Sequence, residues 1–254
     1  MSLDLDHIQR TAQRLSIADS PVCVHSSLRS FGYVQGGAAT VVSGLLDVGC
    51  TVLVPAFSWG FAIQPPPPMR PQRNGTDYNV SAMSAAGATR IFDRATSELD
   101  QDSMGAIPAA VLAMDGHIRG HHPLNSFAAV GPLAAEVVTG QEPLSVYQPL
   151  EALARLGGYA VLMGVGLTSM TLLHLAEQCA GRNPFRRWAK WQRWKANDGG
   201  DRRLLEWVRE VRLHPRTHRA SCPGRQIPLA CIPCDASTRS CHRGNQDRSA
   251  DYTP

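Results

Sequence analysis

The residues of this chain best suited to chemistry are His174 and Glu177, which lie three positions apart. On a helix this spacing places both side chains on one face. A histidine beside a carboxylate is suited to general-base chemistry, in which the imidazole accepts a proton from a reacting group. Structural ion pairs have the same composition, so the surrounding elements must decide between the two interpretations.

The elements that would position this pair are a buried strand and the helix after it. The apolar run Ala160–Gly166 predicts a strand that ends in a glycine-containing turn, and Thr171–Glu177 predicts the start of a helix. In α/β proteins the crevice at the carboxyl ends of the strands is a usual place for ligands. We therefore expect His174 and Glu177 at such a crevice.

A segment near the amino terminus has the composition of an anion-binding loop. An apolar strand at Pro21–Val24 leads into a polar turn that contains Arg29, then into the pair Gly36 and Gly37, and then into a predicted helix at 38–46. Backbone N–H groups at a helix start favour anions, and glycine allows a ligand to approach the backbone closely. The segment matches neither the P-loop nor the dinucleotide fingerprint. A polar loop whose glycines serve only turn geometry stays open as the alternative.

A third polar segment, Arg119–Ala129, contains His121 and His122. The proline that follows biases His122 towards an extended conformation. Adjacent side chains of an extended chain point to opposite sides, so we do not expect the two histidines to act as one pair. The segment then predicts a strand over 126–130 and a helix over 131–138.

The repeated order of strand, loop and helix favours an α/β sandwich around a largely buried sheet. Thr51–Pro55 predicts a further strand, and helices are predicted at Ala109–Met114, after Pro108 at a first helical position, and at Leu150–Leu156. The 254 residues suit one domain with a tail. We place the domain at 1–196 and a divergent carboxyl-terminal part at 197–254, with a disordered end.

Composition narrows the functional class. A net charge of +4 with 18% charged residues is not typical of a dedicated nucleic-acid binder. The polar start does not resemble a signal peptide, and no apolar run is long enough to span a membrane. We therefore predict a cytoplasmic protein with reduced thiols, in which Cys23, Cys50 and Cys179 are small core residues. Neither a nucleic-acid partner nor a membrane partner is expected, and the protein is predicted to be a monomer or a homodimer.

Taken together, five ordered blocks resemble the aminoglycoside 3-N-acetyltransferase family, the coenzyme A-dependent antibiotic N-acetyltransferases. The resemblance covers about residues 5 to 195. The blocks are Val24–Leu28 with Phe31-Gly32 and Gly36-Gly37; Thr51–Pro55; Met104–Pro108; Arg119–Pro123 with Ser126–Ala129; and Gly164–Gly166 with Thr171–Glu177.

The resemblance implies a single-domain α/β/α sandwich with a mixed sheet. It also implies acetyl-CoA as cosubstrate, no metal, and transfer of the acetyl group to the 3-amino group of a 2-deoxystreptamine ring. Catalytic roles would belong to His174, Glu177 and His122. Acceptor binding would involve Glu177 together with Asp77 and Tyr78. Matching of the motif positions places the coenzyme near a larger set, namely His25, Ser26, Ser27, Leu28, Arg29, Gly36, Gly37, Ile107, Ser126 and Phe127.

The sequence also departs from the family pattern. Family members often carry an acidic residue in the turn before the threonine, whereas Leu167–Thr171 contains none. Three other functions remain open. The first is a metal-dependent hydrolase that uses several of the histidines, although no HxH or HExxH spacing supports it. The second is a coenzyme-binding protein that has lost activity, and the third is an acetyltransferase with the same fold that modifies a different amine.

Overall fold

A six-stranded mixed sheet forms the centre of the protein. The structure is a computed structural model, and it describes residues 3–65, 67–70, 78, 91–180, 186–193, 204–212 and 228–232. The strand order is β4-β5-β2-β1-β6-β9, in which β2, β1, β6 and β9 are parallel and β5 and β4 continue in antiparallel pairing. The six strands are β1 Pro21–Ser26, β2 Thr51–Pro55, β4 Ile118–Arg119, β5 Phe127–Val130, β6 Tyr159–Met163 and β9 Leu229–Ile232.

A smaller antiparallel sheet has the strand order β3-β7-β8. Its strands are β3 Ala62–Ile63, β7 Arg186–Arg193 and β8 Leu204–Arg212. The domain boundary predicted after residue 196 falls between β7 and β8, which pair with each other. Beyond that boundary, β9 also pairs with β6 of the large sheet. The predicted disordered end, Arg239 to Pro254, lies outside the described residues.

Helices cover both faces of the large sheet, which confirms the predicted α/β sandwich with a mixed sheet. Successive strand residues point to opposite faces, so Val22 and Val24 of β1 face one layer and Cys23 faces the other. The first layer contains α1 Leu5–Arg14, α2 Gly37–Asp47 and α4 Ala106–Ala113, and the second contains α5 Ala134–Val138, α6 Gln148–Arg155 and α7 Leu172–Cys179. A short helix, α3 Gln101–Met104, precedes α4. No helix in the described part of the chain is long and apolar enough to cross a membrane.

Two local expectations need correction. Helix α4 begins at Ala106 rather than Ala109, so Pro108 is its third residue; a proline is tolerated there because the N–H groups of the first turn have no partner within the helix. Cys179 is not a core residue, because the last turn of α7 is exposed, and its thiol is not reduced, because it forms a disulfide bond. Cys23 and Cys50 are buried and free, as expected.

Gly131 joins β5 to the turn before α5 in a conformation that only glycine adopts readily. Its φ is +121°, and a Cβ atom would lie 2.8 Å from the Cys50 carbonyl oxygen and 2.9 Å from the Thr51 Cα. Both neighbours are backbone atoms of β2 or of the residue before it and cannot move aside cheaply. Gly131 therefore permits the close approach of the β5 turn to the start of β2.

We expect Gly131→Ala to lower the free energy of unfolding by about 3 kcal/mol, because backbone strain and steric overlap add. The matched control is Gly116→Ala, since Gly116 also has a positive φ, +76°, but has open space where the Cβ would stand. That control should cost only about 1 kcal/mol. Chemical denaturation of both variants measures the difference, and equal losses would contradict the steric argument.

Candidate active site

A cleft of about 300 Å³ opens where β1 and β6 end. The two strands are parallel and their last residues, Ser26 and Met163, are paired, so the loops that follow leave the same edge of the sheet. The helices after these loops, α2 and α7, pack on opposite faces, which is the arrangement that opens a crevice in α/β sheets. The described lining residues are Val24, His25, Ser26, Pro55, Phe57, Ser103, Met104, Pro108, Val165, Thr168, Ser169, Met170, Thr171 and His174.

His174 and Glu177 form the pair that the sequence predicts, and the histidine lines the cleft. The Nδ1 atom of His174 lies 2.9 Å from Oε2 of Glu177, on the first turns of α7. Because a carboxylate accepts hydrogen bonds, the ring proton belongs on Nδ1 and the lone pair on Nε2. Nε2 has no hydrogen-bond partner within the described residues. The ring is stacked on Tyr147, with centroids 6.4 Å apart and planes at 23°.

His25, at the end of β1, contacts the start of α7 across the cleft. Its Nε2 lies 3.0 Å from the backbone nitrogen of Thr171, which donates to it, and 3.0 Å from the Thr171 hydroxyl oxygen. The His25 ring is only 6% exposed. Burial lowers its pKa to about 4, against a smaller opposing contribution from the Cys23 backbone. Nδ1 makes no hydrogen bond of regular geometry within the described residues.

His122 does not line the cleft. The ring is fully buried, and its Nδ1 accepts hydrogen bonds from the backbone N–H groups of Leu124, at 3.2 Å, and Asn125, at 2.8 Å. Burial lowers the pKa of His122 to about 3, so the ring is neutral. Its neighbour His121 turns the other way, with Nδ1 3.9 Å from Glu142, as expected for adjacent residues of an extended chain. The geometry gives His122 a turn-stabilising contact through Nδ1, and His122 is not among the described residues that line the cleft.

Arg119 is a buried cation, and no sequence pattern predicts its burial or a role for it. Its guanidinium donates to the carbonyls of Thr96, Ala56 and Glu98 at 2.6 to 2.9 Å and to the hydroxyls of Ser126 and Ser58 at 3.0 and 3.4 Å. All five acceptors are uncharged. Burial lowers the Arg119 pKa to about 10, a value that keeps it charged at neutral pH. The side chain therefore ties the chain after β2 to residues 96–98.

Sequence comparison identifies the family of this chain. Residues 23–221, well over half of the chain, match a protein family described as "Aminoglycoside 3-N-acetyltransferase". The chain belongs to the aminoglycoside 3-N-acetyltransferase family. The resemblance found in the five sequence blocks is thereby confirmed, and with it the class of enzyme, since the family consists of acyltransferases.

Individual members of the family support the assignment. The chain is 32% identical to aminoglycoside N(3)-acetyltransferase VIII of Streptomyces fradiae over 85% of this chain and 72% of that protein. It is 36% identical to aminoglycoside N(3)-acetyltransferase IX of Micromonospora chalcea over 65% of this chain and 58% of that protein. The solved structure of aminoglycoside acetyltransferase AAC(3)-IIb superimposes with a TM-score of 0.62 and 29% identity, covering 81% of this chain and 73% of that one. The chain thus spans between 58% and 72% of the length of these two curated relatives.

The family-implied coenzyme residues fall into two groups. His25 and Ser26 line the cleft, and Ser27, Leu28 and Arg29 follow them directly in the chain. The others are not among the described lining residues. Gly36 and Gly37 start α2 with positive φ, Ile107 is a core residue of α4, and Ser126 and Phe127 are fully buried at β5. Phe127 supports the cleft indirectly, because it packs edge-on against the lining residue Phe57.

Of the residues expected to bind the acceptor, Glu177 is paired with the cleft residue His174. Asp77 lies outside the described residues, and the Tyr78 ring lies against the Arg70 guanidinium, 5.5 Å from the ring centroid. In addition, three carboxylate residues that no motif indicated line a depression of about 440 Å³ together with the exposed Trp59. They are Glu98, Asp100 and Asp102. Within the described residues, no three His, Cys, Asp or Glu side chains gather closely enough to hold a metal ion.

The two buried histidines make the fold sensitive to mild acid. The unfolded chain binds a proton at each ring near pH 6.5, whereas the folded protein binds it only near pH 4 at His25 and pH 3 at His122. The contribution of each neutral ring to the free energy of unfolding is therefore fully present above pH 6.5. The free energy of unfolding should fall by about 2 kcal/mol for each ring by pH 5. Thermal unfolding midpoints between pH 7.5 and 5 measure this loss, in a range where ordinary carboxylates stay ionised. Midpoints that do not change across it would contradict the neutral, buried state of both rings.

Proposed function

We propose that this protein transfers the acetyl group of acetyl-CoA to the 3-amino group of a 2-deoxystreptamine aminoglycoside. The observation that carries the proposal is the His174–Glu177 pair at the mouth of the cleft, with Nε2 of His174 unpartnered within the described residues. The family assignment gives the reaction class. A related protein at 26% identity and a TM-score of 0.61, AAC-VIa, has been solved bound to sisomicin.

His174 acts as the general base in this proposal. An aminosugar amine is largely protonated near neutral pH and is nucleophilic only after it loses a proton, so a base within reach is required. Glu177 holds Nδ1–H of the ring, which directs the Nε2 lone pair away from the carboxylate and stabilises the imidazolium that forms. The neutral amine then attacks the thioester carbonyl directly, the C–S bond breaks, and coenzyme A leaves as a thiolate that takes up the proton held by His174. Cys23 and Cys50, the free cysteines among the described residues, are buried, which disfavours an acyl-cysteine route through either of them.

The cleft suits the acyl end of the cosubstrate, which supplies an activated acetyl group as a thioester. Pro55, Phe57 and Met104 give it an apolar wall, and the Ser26 hydroxyl offers a donor for the thioester oxygen. Ser126 is a weaker candidate for this role, since its hydroxyl already donates to Ala56. At Ser27 the backbone N–H already donates to Met163, which leaves the hydroxyl as the candidate donor. Arg29, which is exposed and follows shortly after Ser26 and Ser27, offers a positive charge to the phosphates of the coenzyme.

The acceptor binds, in this proposal, along the acidic depression beside the cleft. Residues close together in the chain line both sites: Phe57 and Ser103 line the cleft, and Trp59 and Asp102 line the depression. Aminoglycosides are polycations, and a surface with carboxylates from three neighbouring positions favours them electrostatically. These carboxylates supply negative charge that the turn at Leu167–Thr171 lacks.

The test is acetyl-CoA turnover, followed as free thiol release, with a panel of 2-deoxystreptamine aminoglycosides. A simple primary amine serves as a control, and so does an aminoglycoside whose 3-amino group is already acetylated. We expect thiol release with the unmodified antibiotics, none with either control, and NMR of the product showing the new amide at the 3-position. Release with the 3-acetylated compound would contradict the regiochemistry. Release with the simple amine alone would favour a different acceptor, and bound coenzyme without any release would favour a protein that has lost activity.

A further inference from the structure

We propose that His25 is a positioning residue: as a neutral hydrogen-bond acceptor it holds the first residue of the α7 turn and thereby fixes His174 against the cleft. The inference rests on the proposed function, because it assigns His25 a part in the same reaction. The family resemblance assigns His25 only to the coenzyme. The geometry points to a different role, in which the ring contacts protein and not the reacting atoms.

The contact with Thr171 fixes the tautomer of the His25 ring. The Thr171 backbone N–H points at Nε2 of His25 over 3.0 Å, so Nε2 carries the lone pair. That lone pair is already engaged, and the ring is buried. His25 is therefore unavailable as a base, although it lines the same cleft as His174.

The contact lies at the start of α7, where backbone N–H groups need a hydrogen-bond acceptor. The N–H groups at the start of a helix have no acceptor within the helix and must find one elsewhere. Thr171 occupies the N-cap position of α7, but its side chain makes no capping hydrogen bond. The acceptor comes instead from β1, 146 positions earlier in the chain.

Thr171 links the His25 contact to His174 over a short distance. The carbonyl of Thr171 accepts a hydrogen bond from the His174 backbone N–H at 3.0 Å. Thr171 is thus held by its N–H to His25 and by its carbonyl to His174. A shift of Thr171 would rotate the helix turn that carries the catalytic pair, and small misplacements of a reacting group are costly in rate.

The test compares His25→Gln with His25→Met. The two replacements have similar length and volume, but only glutamine places an acceptor atom where Nε2 stands. We expect His25→Met to lower kcat by 10- to 100-fold while the KM for acetyl-CoA changes less than 3-fold, and His25→Gln to regain most of that loss. Equal losses in both variants, or a rise in the coenzyme KM that accounts for the loss, would overturn the proposal in favour of a coenzyme contact.

A second comparison keeps the test independent of whether the methionine variant folds. Replacing Thr171 with the corresponding α-hydroxy acid by nonsense suppression exchanges the backbone N–H that donates to His25 for an ester oxygen and leaves both side chains unchanged. Threonine incorporated by the same method is the matched control. We expect the ester-containing protein to lose at least about 10-fold in kcat relative to that control, and equal activities would overturn the proposal.

A readout that needs no turnover separates this inference from the proposed function. Hydrogen exchange of the Thr171 amide should be at least 10-fold faster in His25→Met than in His25→Gln. If the wild-type protein acetylates no acceptor but the exchange rates differ as expected, the proposed function fails and the positioning contact stands. If the wild type is active and the exchange rates are equal, the positioning role fails alone.

Discussion

Replacing His174 with glutamine is expected to lower kcat for aminoglycoside acetylation by 10²- to 10⁴-fold, with the affinity for acetyl-CoA preserved. The range is the usual contribution of a positioned general base. Glutamine keeps the polar character and approximate size of the side chain but cannot accept a proton at neutral pH. Steady-state thiol release gives kcat, and calorimetry of coenzyme binding gives the affinity. Intact turnover in the variant would remove His174 from the role of base.

The chain offers a matched control for this experiment. His7 and Asp4 form a second histidine–carboxylate pair, also three residues apart, with Nδ1 and Oδ1 3.3 Å apart at the start of α1. This pair has the same chemistry but does not line the cleft. His7→Gln should keep kcat within about 2-fold of the wild type. A comparable loss in both variants would show that the effect of His174→Gln is not specific to the cleft.

The second large effect is expected for Arg119→Met, which should lower the free energy of unfolding by about 3 kcal/mol. Methionine fills much of the space but loses the cation–π contact with Phe92, whose ring centroid lies 5.3 Å from the guanidinium carbon. It cannot replace the hydrogen bonds to the half-buried carbonyls of Thr96 and Glu98, and the loss of hydrogen bonds from a charged donor costs about 1.5 to 3 kcal/mol. The thermal midpoint should fall by roughly 10 °C.

Two control variants separate the effect of burial from the effect of charge at Arg119. Arg14→Met replaces an exposed arginine on α1 and should change stability by no more than about 0.5 kcal/mol. Arg119→Lys keeps the charge without the planar fork of donors, and its stability should fall between those of the wild type and Arg119→Met. If lysine restores full stability, then charge rather than the geometry of the five hydrogen bonds explains the contribution of Arg119.

Much of the fold could be predicted from the sequence because strand and helix patterns are local. The apolar runs at β1, β2 and β6 are buried on both faces, and such strands are nearly continuous in hydrophobic residues. The glycine turns and the spacing of His174 and Glu177 are local features as well. The order of the five motif blocks is specific enough to indicate the family from the sequence alone.

What could not be predicted depends on partners far away in the chain. Four of the five acceptors of Arg119 lie 21 to 63 positions away, so no periodicity marks it as a buried residue. Gln141 was missed for the same reason: it is fully buried and bonds to backbone atoms of Asn125, Phe127 and Val146. The acidic depression was missed because its carboxylates follow no motif and become neighbours of Trp59 only through the fold.

The pairing of β1 with β6 has a consequence for how the protein is made. The register joins Cys23 to Ala160, 137 positions apart, and the cleft lies at the end of this pair. A ribosome must therefore release about two thirds of the chain before His25 can meet Thr171, and contacts of such long separation slow folding. Until residues 229–232 emerge, β6 also presents an unpaired edge, which is a template for aggregation. Truncation or stalling before β9 should therefore yield insoluble chains rather than weakly active ones.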